Sequence, residues 1–102
     1  MPPLREFDAA FEREQGCTEA EWLGWLPGAV GGHTLRVTAP GRARVDIANG
    51  RLELAWTVLP PRQIALMRMP RLQVRYRFEG LDAEARSRFM QYFDLYLQRG
   101  GG

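Results

Sequence analysis

The sequence predicts an α+β fold: a four- or five-stranded antiparallel sheet with a long C-terminal helix packed on its apolar face and two N-terminal helices. Three observations carry this reading. Residues 71–79 alternate strictly, with Leu72, Val74, Tyr76 and Phe78 on one side and Arg71, Gln73, Arg75 and Arg77 on the other, which is the signature of a half-buried strand. Asn49 and Gly50 stand between two weaker alternating runs, a strong short-range signal for a two-residue hairpin. From Asp82 onward the apolar period changes from 2 to 3.6, as in an amphipathic helix.

The first N-terminal helix follows from Pro3 in a first turn, with Leu4, Phe7 and Phe11 on one face, Ala10 beside them and Gly16 as the stop. Thr18 and Glu21 form a capping box for the second, in which each side chain satisfies a backbone N–H that the first turn leaves free. It carries Trp22, Leu23, Trp25 and Leu26 and ends at Pro27 and Gly28. Leu35 and Val37 alternate with Thr34, Arg36 and Thr38 in a first strand, closed by a turn at Pro40 and Gly41.

In the next hairpin, a type I′ turn centred on Asn49 and Gly50 pairs Ile47 with Leu52, Val45 with Leu54 and Ala43 with Trp56. The same register sets Asp46 against Glu53, with Arg44 and Arg51 diagonal to them. Pro60 and Pro61 break the chain before a further strand, Ile64 to Met69, that is apolar on both sides and therefore needs a cover. Pro70 then turns the chain into the strand of residues 71–79. In the final helix, capped by Asp82, Ala85, Phe89, Tyr92, Phe93 and Tyr96 face the sheet, while Ser87, Gln91, Asp94 and Gln98 face away.

At 102 residues the chain makes one domain. It divides into an acidic helical segment (1–27), an antiparallel sheet (33–79), a C-terminal helix (82–99) and a flexible tail (100–102). All 14 basic residues are arginine, a usage expected of a GC-rich bacterial genome. Net charge is only +2 but unevenly placed: the N-terminal quarter is acidic and the sheet is basic. No apolar run is long enough to span a bilayer, and the acidic start does not fit a secretory signal, so a cytoplasmic location and no membrane partner are expected. The lone Cys17 excludes an intrachain disulfide.

No catalytic set emerges. Cys17 and His33 could form a thiolate dyad, but a buried cysteine at a helix junction and a loop histidine account for both. One His and one Cys without ligand spacing give no metal site, and no phosphate loop or dinucleotide fingerprint implies a cofactor. The function expected is non-covalent binding at an arginine-rich sheet face made of Arg36, Arg44, Arg51, Arg71, Arg75 and Arg77. The partner would be an acidic protein, an anionic ligand or a second copy. Nucleic acid is disfavoured because the aromatics alternate away from the arginines. Ile64, Leu66, Met90 and Leu97 would add apolar surface for a homo-oligomer. The alternative is a small-molecule carrier or enzyme with a pocket between sheet and C-terminal helix, lined by His33, Trp56, Tyr76, Tyr92 and Tyr96.

Overall fold

Strand pairing decides the architecture. The computed structural model describes residues 6–101. Its elements are β1 (Ala10–Gln15), α1 (Glu19–Ala29), β2 (Thr34–Ala39), β3 (Arg42–Ile47), β4 (Gly50–Ile64), β5 (Met67–Glu79) and α2 (Ala83–Tyr96), with a π-helical turn over Leu97–Gly101. The five strands form one antiparallel sheet in the order β1-β5-β4-β3-β2. The chain thus lays down one edge, crosses under the sheet through α1 to the other edge, and meanders back until β5 pairs with β1.

Both helices pack on one side of the sheet. Inward side chains of β3, β4 and β5, among them Val45, Leu52, Leu54, Leu72, Val74 and Tyr76, share a single core with Trp22 and Leu26 of α1 and Phe89, Met90 and Phe93 of α2. Trp22 meets Trp56 and Phe93 edge-on, with ring centres 5.9 and 6.1 Å apart, a favourable geometry for aromatic quadrupoles. The capping box of α1 is formed: the Thr18 hydroxyl accepts from the Glu21 N–H and the Glu21 carboxylate accepts from the Thr18 N–H. The Asp82 carboxylate likewise accepts from the Ala85 N–H at 2.9 Å and starts α2.

In five places the structure departs from the expected elements. Residues 10–15 form a strand where a first helix was expected, so the described residues hold one N-terminal helix and not two; Pro3 and Leu4 of that expected helix lie outside them. The spacing of Phe7 and Phe11 suits a helix, but sheet contacts win: Phe11 stacks on Tyr76 with ring centres 4.7 Å apart, and Glu12 and Glu14 stand beside arginines of β5.

The β3–β4 hairpin turns at Ala48 and Asn49, two residues out of the expected register along β4. Ile47 pairs with Gly50, Val45 with Leu52 and Ala43 with Leu54. A two-residue slip keeps every side chain on its expected face. It also removes the unfavourable Asp46–Glu53 opposition, since Asp46 now faces Arg51 and Glu53 faces Arg44. Gly50 is therefore not a turn glycine. A Cβ there would run into the Glu79 carbonyl oxygen and the Gly80 backbone, so the residue permits a close approach to the end of β5.

Pro60, Pro61 and Pro70 do not break the strands. β4 runs on to Ile64 through an irregularity between Leu59 and Arg62 that takes up both prolines, and β5 begins at Met67. The segment expected to be covered on both sides is instead a projecting ribbon in solvent.

In α2 the buried stripe is Phe89, Met90, Phe93 and Leu97, with Ser87 also buried and Tyr92 exposed. Met90 and Leu97 are core residues and contribute no contact surface. The expected tail is wound into the π-helical turn as far as Gly101, and Gly102 lies outside the described residues.

Candidate functional site

The uncovered side of the sheet carries all six arginines expected there. Pairing places Arg77, Glu53, Arg44 and Arg36 in one row across β5, β4, β3 and β2. A neighbouring row holds Glu12, Arg75, Ala55 and Arg42, while Arg51 and Arg71 lie farther along the same face. Most of these guanidiniums have carboxylate neighbours. Arg51 reaches Glu53 at 3.1 Å and Glu79 at 3.3 Å, Arg44 reaches Asp46 at 3.3 Å, and Arg71 reaches Glu14 at 2.8 Å. Arg77–Glu79 and Arg75–Glu12 are looser, at 3.5 and 3.6 Å. Arg36 and Arg42 have no carboxylate partner among the described residues.

The centre of this face is a depression of about 470 Å³. Ala10 and Ala55 lie in it, their methyl groups leaving room that a longer side chain would fill. Arg42, Arg75 and Arg77 line it together with Glu12 and Glu53. Arg42 was not among the residues expected here, although it shares the alternation of Arg44 that would have placed it on this face. Three guanidiniums around a shallow hollow, one of them unpaired and two loosely paired, can reorient to hold a carboxylate in bidentate fashion.

The residues expected to line an interior pocket do not converge. Trp56 is buried and its indole N–H donates to the Glu19 carboxylate at 2.7 Å. Tyr76 is buried under α2, and Tyr96 packs over Gly28, where a Cβ would collide with its ring. The space between sheet and helices is filled by Trp22, Tyr76, Phe93 and their neighbours. Of the five, His33 and Tyr92 share an opening, a groove of about 470 Å³ between the α1–β2 connection and α2, with Val30, Ile47 and Phe89 beside them and Arg88 among its lining.

One polar cluster inside the fold escaped the sequence. Arg13 points from β1 toward α2, where it donates to both Asp94 carboxylate oxygens at 2.7 and 3.1 Å and to the Tyr76 hydroxyl at 3.1 Å. Burial works against its charge, but the hydrogen bonds to Asp94 and Tyr76 outweigh that and hold the guanidinium more firmly protonated than usual. Cys17 is buried, and burial followed by the nearby Glu21 pushes its thiol up to about 11, opposite to what a nucleophilic thiolate needs. His33 is exposed and lies against Phe89, with ring centres 5.8 Å apart. Among the described residues no three His, Cys, Asp or Glu side chains gather where they could hold a metal ion.

No protein-family model matches this chain, and no curated protein matches it either.

Proposed function

We propose that the protein is a non-catalytic binding module that holds an acidic polypeptide on the open face of its sheet. The observation that carries this reading is the depression over Ala10 and Ala55, where Arg42, Arg75 and Arg77 outnumber Glu12 and Glu53 and Arg42 has no carboxylate partner among the described residues. A glutamate or aspartate side chain entering it would exchange weak, solvent-screened pairs for a charge-assisted bidentate contact. Self-association through the same face fits less well, because two such faces would bring the unpaired Arg36 and Arg42 toward their own copies. A carrier or enzyme reading loses support with the filled interior and the raised Cys17 thiol.

The test is fluorescence anisotropy of a labelled oligo-glutamate peptide titrated with the full chain. Binding is expected in dilute buffer and should weaken as salt is added. Arg42→Ala should lower affinity roughly tenfold, the effect of losing one charge-assisted hydrogen bond of about 1.5 kcal/mol. No binding in dilute buffer, or equal affinity for the parent and an Arg42→Ala, Arg75→Ala double variant, would overturn the reading.

A further inference from the structure

The β4–β5 hairpin runs on past the rest of the sheet. β3 accompanies β4 only as far as Ala55, and β1 accompanies β5 only as far as Leu72, so residues 59–71 form a ribbon with no third strand among the described residues. Ile64 is paired with Met67 and Arg62 with Met69, which places Ile64, Met67 and Met69 on one side. All three are exposed, and Leu66 at the tip is 98% exposed. Each such side chain left in water forgoes roughly 1.5–3 kcal/mol of burial, and apolar groups clustered at a projecting tip mark a surface that meets something else.

The chemistry around the tip narrows what that is. No aspartate or glutamate occurs between Leu54 and Phe78, whereas Arg62, Arg68, Arg71, Arg75 and Arg77 all fall in that span. Near the tip, Arg62 has a single exposed contact with Glu14 at 3.4 Å, and Arg68 has no carboxylate among the described residues. Two copies meeting arm to arm would oppose guanidiniums with no acid of the ribbon itself between them. Pro60, Pro61 and Pro70 remove N–H donors from the ribbon's edges, which works against a partner strand adding to it.

We propose that this ribbon docks the protein on an anionic lipid bilayer. Leu66, Ile64 and Met67 enter the boundary between headgroups and acyl chains, and Arg62 and Arg68, set just behind them, meet lipid phosphates. The mode is interfacial, since no described helix is long and apolar enough to cross a membrane. It departs from the expectation of no membrane partner, which rested on the absence of a spanning segment. The site is separate from the central depression and does not rest on its assignment.

The test is co-sedimentation of the full chain with vesicles of phosphatidylcholine alone and of phosphatidylcholine mixed with phosphatidylglycerol. The protein should sediment with the mixed vesicles and stay in solution with the neutral ones. Leu66→Asp, at a position with no packing to lose, should reduce the bound fraction at least about tenfold. Arg62→Gln with Arg68→Gln should weaken binding and flatten its salt dependence, and Arg42→Ala should bind as the parent does. Absence of sedimentation with mixed vesicles in dilute buffer, or undiminished binding by Leu66→Asp, would overturn the proposal. So would light scattering that shows a dimer converted to monomer by Leu66→Asp, because a second copy would then be the occupant.

Discussion

Arg13 and Asp94, 81 residues apart in the chain, meet in a two-pronged ion pair that ties edge strand β1 to helix α2. Both side chains are about a quarter exposed (25% and 26%), and the guanidinium also lies 4.9 Å from the centre of the Tyr76 ring. A pair this enclosed is costly to break from one side, because the surviving charge keeps its desolvation. Asp94→Asn should therefore cost about 1.5–3 kcal/mol in urea unfolding. Arg13→Met with Asp94→Leu should cost less than the sum of the two single changes. Additive effects in that double-mutant cycle would show that the pair contributes nothing.

Both two-residue hairpins place an alanine at a positive backbone angle, Ala48 at φ 50° and Ala65 at φ 54°. That region costs a residue with a Cβ about 1–2 kcal/mol, which glycine avoids. Ala48→Gly and Ala65→Gly should each raise stability by up to about 1 kcal/mol after glycine's extra chain entropy is subtracted. Gly50→Ala should do the reverse, because its Cβ has no room against Glu79 and Gly80. Thermal melts of the three variants test the assignment of these roles, and a stable Gly50→Ala would contradict it.

What the sequence revealed and what it concealed divide along physical lines. Period-2 alternation was enough to put Arg36, Arg44, Arg51, Arg71, Arg75 and Arg77 on one face, because a strand has only two faces. The caps at Thr18 and Asp82 were equally legible, being local hydrogen bonds between residues three apart. The hairpin register was not, because Gly50 serves a close backbone approach that no local signal separates from a turn. β1 was hidden because Arg13 occupies an inward position and so interrupts the apolar alternation. Its compensation, Asp94, lies on a distant helix. The central depression depends on Ala10 and Ala55 being neighbours of Arg77 and Arg75 across strands, a relation created only by pairing.

Cys17 makes stability fall at alkaline pH. Its folded thiol is held up to about 11 against 9.0 for a free one, so above pH 9 the unfolded chain releases a proton that the folded chain retains. The sign follows from linkage: the folded state binds more protons in that window, and raising pH favours unfolding. Stability should be unaffected by this group below pH 9 and decline between about 9 and 11, with a shallower slope in Cys17→Ala. Tyr76, whose phenol is also raised by burial, adds to the loss above its ordinary value of 10.0. In the folded protein at neutral pH, iodoacetamide should leave Cys17 unmodified; rapid alkylation would contradict the burial.

Ala55 tests the depression without touching a charge. Its side chain points to the open face between Arg75 and Arg42, so Ala55→Leu fills the hollow and leaves the core intact. Thermal stability should change by no more than about 0.5 kcal/mol, while oligo-glutamate affinity should drop severalfold. Retained affinity would move the contact elsewhere on the face.

The most direct measurement is a map of backbone amide shifts in the ¹⁵N-labelled chain as oligo-glutamate is added. Arg42, Ala55, Arg75 and Arg77 should move together and saturate with one affinity, while Trp22, Phe93, His33 and Tyr92 stay in place. Shifts gathered instead around His33, Arg88 and Tyr92, or none anywhere, would contradict a binding module built on the open face of the sheet.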